Sequence, residues 1–142
     1  MIRRRCVRIF AIVIALAIVG CRCYGQNSAE YRRCADRAQT QLEQDKCANE
    51  EAVRADLALD AIYRGFIAKI AGDSLAIAKL REAETAWRRY RDTYIEAVYP
   101  ARDKQLAYGT EYPMDVDLLS AKMTREHLAE ITYLINEYEP AQ

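Results

Sequence analysis

The chain has 142 residues, of which 51% are hydrophobic and 30% charged, and its 21 basic side chains balance its 21 acidic ones. This length is enough for one domain with a single core, and a balanced charge without a basic stripe argues against a nucleic-acid-binding protein. Only five glycines and three prolines occur, so the composition favours helices.

Residues 1–20 have the pattern of a secretory signal peptide. Four arginines precede an apolar run from Ile9 to Val19, and this run is shorter than the about 20 residues that a membrane-spanning helix needs. Once these residues are removed, 17 basic and 21 acidic side chains remain, a net charge of −4. We therefore expect an exported, mildly acidic protein.

The apolar run ends at Ile18-Val19-Gly20-Cys21, which resembles a bacterial lipobox. In that motif the cysteine is acylated and becomes the new N-terminus, so Cys21 is the candidate lipidation site. Residues 21–29 are then a tether between the membrane and a domain at 30–142, in the periplasm or at the cell surface. The alternative is ordinary cleavage near Tyr24, which leaves Cys21 and Cys23 as incidental thiols.

A short helix is expected around residues 30–38, followed by a helix of about thirty residues. The second helix begins at a capping box, Thr40 with Glu43, and ends near Gly72. Its predicted buried stripe is Ala48, Ala52, Ala55, Leu59, Ile62, Phe66 and Ile70.

Two more long helices are predicted, one from a cap at Asp73 to Pro100 and one that starts at Pro113. The expected stripe of the former is Ile77, Leu80, Ala83, Trp87, Tyr90 or Arg91, Tyr94 and Val98. That of the latter is Val116, Leu119, Met123, His127, Ile131, Leu134 and Tyr138. The predicted fold is an all-α antiparallel bundle of three long helices plus a short leading helix.

Cys34 lies in the leading helix and Cys47 in the first long helix. In an oxidising compartment we expect them to form a disulfide that pins these helices together. The alternative is two reduced, buried thiols. If Cys21 is lipidated, Cys23 is the thiol left over.

The chain lacks the residue patterns of a catalytic, metal or cofactor site. Its single histidine, His127, has no nucleophile at a suitable spacing, the cysteines lack paired C-x-x-C spacing, and no glycine-rich phosphate loop occurs. We expect a binding protein, not an enzyme, with no cofactor and no metal.

Ten tyrosines against two phenylalanines are an unusual aromatic choice, and tyrosine suits interfaces because it combines contact area with a polar group. Residues 99–112 lack a stable helical period and are predicted to be a loop long enough to suspect function. The candidate partner-binding residues in it are Tyr99, Asp103, Tyr108, Glu111 and Tyr112. The alternative is that these rings only pack against the bundle.

The string LREAETAWRRYRD at 80–92 resembles the signature of the LprI-type lysozyme-inhibitor family, whose members are small exported helical proteins. Two weaker blocks agree in order, TQLEQDKC at 40–47 and GTEYPMDVDLLSAKMTRE at 109–126. The resemblance extends from Cys34 to Leu134 and makes Trp87, Arg91 and Asp92 signature residues with a mainly structural role.

The chain departs from the family pattern at four positions. Ile95 stands where members commonly have a cysteine and Leu119 where some have a second one that pairs with it. His127 stands where an arginine is usual, and Glu84 where a glutamine is usual. Ile95 and Leu119 are apolar, and we expect contact between the last two long helices to take the place of a disulfide at these positions.

The resemblance implies an envelope protein that binds lysozyme or another peptidoglycan hydrolase and blocks its cleft, with Glu111 or Asp103 approaching a catalytic carboxylic acid or a nearby arginine. Two alternatives stay open: an immunity-type protein that binds a different hydrolase, and a structural lipoprotein that inhibits no lysozyme.

Overall fold

The computed structural model describes residues 27–137. In this part of the chain five α-helices and no strands occur, namely α1 (Ala29–Ala35), α2 (Gln41–Lys69), α3 (Ser74–Val98), α4 (Lys104–Tyr108) and α5 (Tyr112–Glu137). The predicted all-α bundle of three long helices and a short leading helix is confirmed, and α4 is an addition to it. The signal peptide at 1–20, Cys21, Cys23 and Tyr138 lie outside the described residues.

The helices begin and end where local chemistry predicts. The Thr40 Oγ1 atom accepts a hydrogen bond from Glu43 N at 3.3 Å, and Glu43 Oε2 accepts one from Thr40 N at 3.0 Å, which completes the capping box of α2. At the start of α3, Asp73 Oδ1 accepts from Ala76 N at 2.9 Å. Pro113 is the second residue of α5, where its missing N–H has no partner to lose.

The long helices α2 and α5 run parallel and pack along most of their lengths. Glu51 of α2 binds Arg125 of α5, and further along the same two helices Lys69 Nζ donates to the Ile135 carbonyl. The helix between them in the chain, α3, runs antiparallel to both. The hydrophobic residues that are buried in this arrangement are Cys47, Ala48, Ala55, Leu59, Tyr63, Ile70, Ile95 and Ala121. Within residues 27–137, no helix is both apolar enough and long enough to cross a membrane.

The predicted buried stripe was largely right for α2 and wrong for half of α3. On α3, Tyr94 and Val98 are exposed, and of the predicted alternatives Tyr90 and Arg91 it is Arg91 that is buried, together with Ile95. The physical reason is electrostatic. Asp56 and Asp60 of α2 form ion pairs with Arg91 and Arg88 of α3. The side of α3 that carries these arginines therefore faces α2, and Tyr90 and Tyr94 face solvent.

On α5 the two fully buried residues, Ala121 and Thr124, were not in the predicted stripe. Leu134 was in the predicted stripe, but it is 51% exposed. Ala121 and Thr124 are small, and small side chains are needed where α5 packs closely against its neighbours, because larger ones would leave no room for the adjacent backbone.

Two links hold α1 against α2. The first is the Cys34–Cys47 disulfide, which is confirmed, with the two Cα atoms 5.7 Å apart. The second is a set of hydrogen bonds that we call the clasp, made by Asn27, Ser28, Glu51 and Arg125. In the clasp both N and Oγ of Ser28 donate to the Glu51 carboxylate, while Arg125 donates to Glu51 and to Asn27 Oδ1.

Candidate functional site

The segment that joins α3 to α5, residues 99–112, closes one end of the bundle, and we call it the tip. It was predicted to be a loop, but it contains the one-turn helix α4. Asp103 caps that helix, since its Oδ1 atom accepts from Leu106 N at 2.9 Å. Gly109 follows α4 with a φ of +76°, a backbone conformation that glycine adopts without strain.

The three candidate tyrosines of the tip pack against one another. The Tyr99 ring lies edge-on to Tyr108 and to Tyr112, with centroids 5.2 and 5.3 Å apart, and Tyr108 stacks on Tyr112 at 5.8 Å. The Tyr108 hydroxyl accepts from Ala101 N at 3.1 Å. Burial, followed by the nearby Asp115, raises the pKa of Tyr99. These rings therefore form a small core that braces the tip.

The two candidate acids of the tip, Asp103 and Glu111, differ in whether their carboxylates form hydrogen bonds. The Asp103 carboxylate accepts the capping hydrogen bond of α4. The exposed Glu111 carboxylate has no hydrogen bond or ion pair to any residue between 27 and 137. A neighbouring cation is also engaged, because Lys104 Nζ donates to Glu96 at 2.8 Å and to the Tyr99 carbonyl. Of these two acids, Glu111 is the one whose carboxylate is left unengaged by the part of the chain that the structure describes.

Sequence reasoning missed Leu106, which is 85% exposed on α4. An apolar side chain in a five-residue helix between Asp103 and Gly109 was the signal available for it. A segment held by ring contacts that presents one exposed leucine and one exposed carboxylate has the chemistry of a protein-binding surface, in which an apolar anchor is surrounded by polar groups.

The signature residues Trp87, Arg91 and Asp92 lie on α3, about two to three turns before the tip. Arg91 Nη1 donates to Asp56 Oδ1 of α2 at 2.6 Å and to Thr124 Oγ1 of α5 at 2.9 Å. Its guanidinium carbon lies 5.4 Å from the centre of the Trp87 ring. Arg91 therefore joins all three long helices, and Asp92, which pairs with its Nε at 3.1 Å, helps to hold its orientation.

His127 fills the space beside Trp87. The two rings stack with centroids 4.1 Å apart and planes 7° apart, and His127 Nε2 lies 3.2 Å from the Tyr63 hydroxyl. Burial lowers the pKa of His127, although Glu130 nearby acts in the opposite direction. This environment favours a neutral, packed imidazole.

The other three positions that depart from the family pattern also lie on the long helices. Glu84 is half-buried on α3 and accepts from Arg88 at 3.0 Å, which in turn binds Asp60 of α2. Ile95 is buried and Leu119 half-buried. In residues 27–137 there is no group of three or more His, Cys, Asp or Glu side chains placed to hold a metal ion.

We compared the chain with protein-family models, with curated proteins and with solved structures, and one family model matches it. No curated protein and no solved structure matches the chain. The family model described as "Lysozyme inhibitor LprI" matches residues 33–131, a span that includes the disulfide, the Arg91 network and the tip. The family is one of inhibitors and not of enzymes. The chain therefore belongs to the LprI lysozyme-inhibitor family.

Proposed function

We propose that this protein binds lysozyme or a related peptidoglycan hydrolase and inhibits it by placing the tip in the cleft of the enzyme. The observation that carries the proposal is the match to the inhibitor family over residues 33–131. The tip supports the choice of surface, because it is braced internally by three tyrosine rings and still presents Leu106 and Glu111 to solvent.

Occlusion by the tip is physically reasonable because of how lysozyme works. Lysozyme cleaves a glycosidic bond of its sugar substrate with two carboxyl side chains, which flank that bond in a cleft of the enzyme. The sugar chain must enter this cleft to be cleaved. A segment that fills the cleft excludes the sugar. Leu106 is the proposed anchor in this contact, and Glu111 the group that approaches an arginine or a protonated carboxylic acid of the enzyme.

Charge and rigidity both favour such a complex. Without residues 1–20 the chain has a net charge of −4, which attracts a cationic hydrolase and raises the rate of encounter. The braced tip loses little conformational freedom on binding, so less of the interaction energy is spent on ordering it.

Cys21 is proposed to hold the protein at a membrane of the bacterial envelope through a lipid. The support for this is the arrangement of Gly20 and Cys21 directly after the apolar run. Incorporation of radioactive palmitate into the wild-type chain, and its loss in Cys21→Ser, is the expected result. Labelling that survives in Cys21→Ser would contradict the proposed site.

The inhibition experiment uses a soluble form that starts at residue 24, titrated into lysozyme acting on cell-wall substrate at low and moderate salt. We expect inhibition that weakens as salt rises, since the encounter is partly electrostatic. Leu106→Asp is expected to raise the inhibition constant at least about tenfold, because it places a charge at the anchor. The matched control is Leu75→Asp, a similarly exposed leucine at the other end of the bundle.

Glu111→Gln tests the polar contact separately. It is expected to weaken inhibition and to reduce its salt dependence, whereas Glu137→Gln, at the far end of α5, changes neither. If the folded, oxidised domain fails to inhibit at any salt concentration, lysozyme is the wrong target. The same titration against other peptidoglycan hydrolases then distinguishes an immunity-type protein from a structural lipoprotein.

A further inference from the structure

The tip is small for a complete protein-binding surface. It has fourteen residues, of which nine are exposed, whereas stable protein interfaces use about 20–30 residues on each side. A hydrolase that binds the tip therefore has to contact more of the surface at the same end of the bundle.

Contacts between the long helices place the first turn of α2 beside the tip. Thr124 Oγ1 of α5 lies 3.5 Å from Asp56 Oδ1 of α2, and the two helices run parallel. Fourteen residues separate Asp56 from Leu42 on α2, and the same number separate Thr124 from Thr110 in the tip. Each stretch corresponds to about 21 Å of helix, so Leu42 is level with Thr110 along the bundle.

The side of α2 that carries Leu42 faces α3 and, beyond the end of α3, the tip. Asp60 follows Leu42 by eighteen residues, about five turns, so both lie on the same side of α2. Asp60 binds Arg88 of α3. From Arg88, α3 continues for about 15 Å to Val98, whereas Leu42 lies about 27 Å from Asp60 in the same direction. At the level of Leu42 the tip has therefore replaced α3.

Leu42 has no task in starting its helix. The capping box is made by Thr40 and Glu43. A hydrophobic staple would join the residue before the cap to the fourth residue of the helix, and in α2 these are Gln39 and Gln44. An apolar side chain at position 42 is thus not required by the local structure.

We infer that Leu42 is a second apolar anchor for the hydrolase, and that the enzyme-binding surface extends from the tip onto the first turn of α2. The inference rests on the proposed function. Among the large hydrophobic residues from 27 to 137, the two most exposed are Leu106, at 85%, and Leu42, at 78%. They belong to separate elements and meet at one end of the bundle. Single exposed apolar residues are ordinary, whereas a cluster of them marks an interaction site.

The charges at this end favour a protein as the partner. Arg102 and Glu111 are exposed tip residues, and neither has a hydrogen bond or ion pair to any residue from 27 to 137. Two apolar anchors with unpaired charges of both signs beside them match the core and rim of a protein interface. An anionic lipid surface would instead select basic residues. Because Leu42 adjoins the tip, the partner is the same hydrolase that the tip binds.

The variant Leu42→Gln tests the second anchor in the inhibition titration. Glutamine forms helices about as well as leucine and leaves the charge unchanged, so the fold and the electrostatic attraction are retained. We expect the inhibition constant to rise about tenfold. The matched control is Leu57→Gln, a residue of α2 that is 59% exposed and lies about 22 Å further along the helix. It should inhibit like wild type.

The titration separates the inference from the proposed function. If Leu42→Gln inhibits like wild type while Leu106→Asp still weakens inhibition, Leu42 is no anchor and the tip alone binds the enzyme. If wild type inhibits no hydrolase, the proposed function fails and the anchor with it.

A fluorescent label reports the contact at this position directly. In the soluble form that starts at residue 24, Cys34 and Cys47 are paired, so Leu42→Cys supplies a single thiol for an environment-sensitive dye. Excess lysozyme should shift the emission to shorter wavelength in labelled Leu42→Cys and not in labelled Leu57→Cys. A label at position 42 that abolishes inhibition, while one at 57 does not, supports the same contact. Unchanged emission from a labelled Leu42→Cys that still inhibits would overturn it.

Discussion

Glu51 gives the sharpest test of what holds this bundle together. Its side chain is 1% exposed, yet it is charged, because Ser28 donates to it twice and Arg54 and Arg125 donate once each. Burial raises the pKa of Glu51, but the hydrogen bonds from Ser28 and Arg54 and the charge of Arg125 outweigh it, so the pKa lies below its usual value. We expect Glu51→Gln to destabilise the fold while keeping its shape.

The magnitude follows from the partners that are left behind. Removing one member of a buried ion pair costs about 3–5 kcal/mol, since the remaining charge stays desolvated. Here Arg125 keeps a bond to Asn27 and is 20% exposed, and Arg54 is 37% exposed, so water offsets part of the loss. We expect a decrease of about 3 kcal/mol in the free energy of unfolding, a large share of the 5–15 kcal/mol typical of a domain.

Urea unfolding at neutral pH, followed by far-UV circular dichroism on the oxidised protein, measures this loss. The matched control is the adjacent Glu50→Gln, whose carboxylate is 47% exposed and lies 3.9 Å from Arg54. It is expected to change stability by less than about 0.5 kcal/mol. Equal effects in the two variants would refute the claim that the buried carboxylate matters.

The dependence on pH gives the same test a second readout. Because the pKa of Glu51 is lower in the folded state than its ordinary value of 4.5, the stabilisation is fully present above that value and is lost as the pH falls through the folded pKa. Wild type should therefore lose more stability than Glu51→Gln on acidification below about pH 4.5. Parallel curves would show that other carboxylates account for the acid response.

Three further predictions concern other links in the bundle. Replacing Cys34 and Cys47 together by serine should cost about 3 kcal/mol, as expected for a loop of this size, and the urea midpoint of wild type should shift equally on reduction. Arg91→Ala should cost about 2 kcal/mol in the same assay, because Thr124 loses a buried partner; a neutral effect would contradict its assigned role. Fluorescence of Trp87, the only tryptophan, should change with a midpoint below pH 6.5 as His127 becomes protonated, and His127→Gln should abolish that transition.

The leading helix, the three long helices and their ends could be predicted from the sequence because their signals are local. The capping box at Thr40, the cap at Asp73 and the stop before Pro100 each depend on residues within one turn. The Cys34–Cys47 bridge could be expected from the compartment and the spacing. Each of the helix ends is decided by neighbours in the chain, whereas the bridge joins two helices.

The inward side of α3 could not be predicted in this way. Apolar spacing selects Tyr94 and leaves Tyr90 and Arg91 as alternatives, but Arg88 and Arg91 face α2 because Asp56 and Asp60 are there to receive them. That reason lies some thirty residues away in the chain and becomes visible only when α2 and α3 are placed side by side. A periodicity argument weighs hydrophobicity and does not weigh charge pairing between helices.

The tip shows a similar limit. Composition identified Tyr99, Tyr108 and Tyr112 as a group but did not distinguish packing from binding. Their mutual contact depends on the end of α3 meeting the start of α5, which turns the rings into a brace and leaves Leu106 outside. The exposed leucine of the candidate site was therefore absent from the prediction.

The position of the disulfide has a mechanical consequence. A pull on the chain before Asn27 meets the clasp first, where Ser28 and its hydrogen bonds to Glu51 would peel apart one at a time. The covalent bond between Cys34 and Cys47 stops the peeling after less than two turns of helix. Tension from that side then passes through Cys47 into α2, close to the N-terminus of that helix.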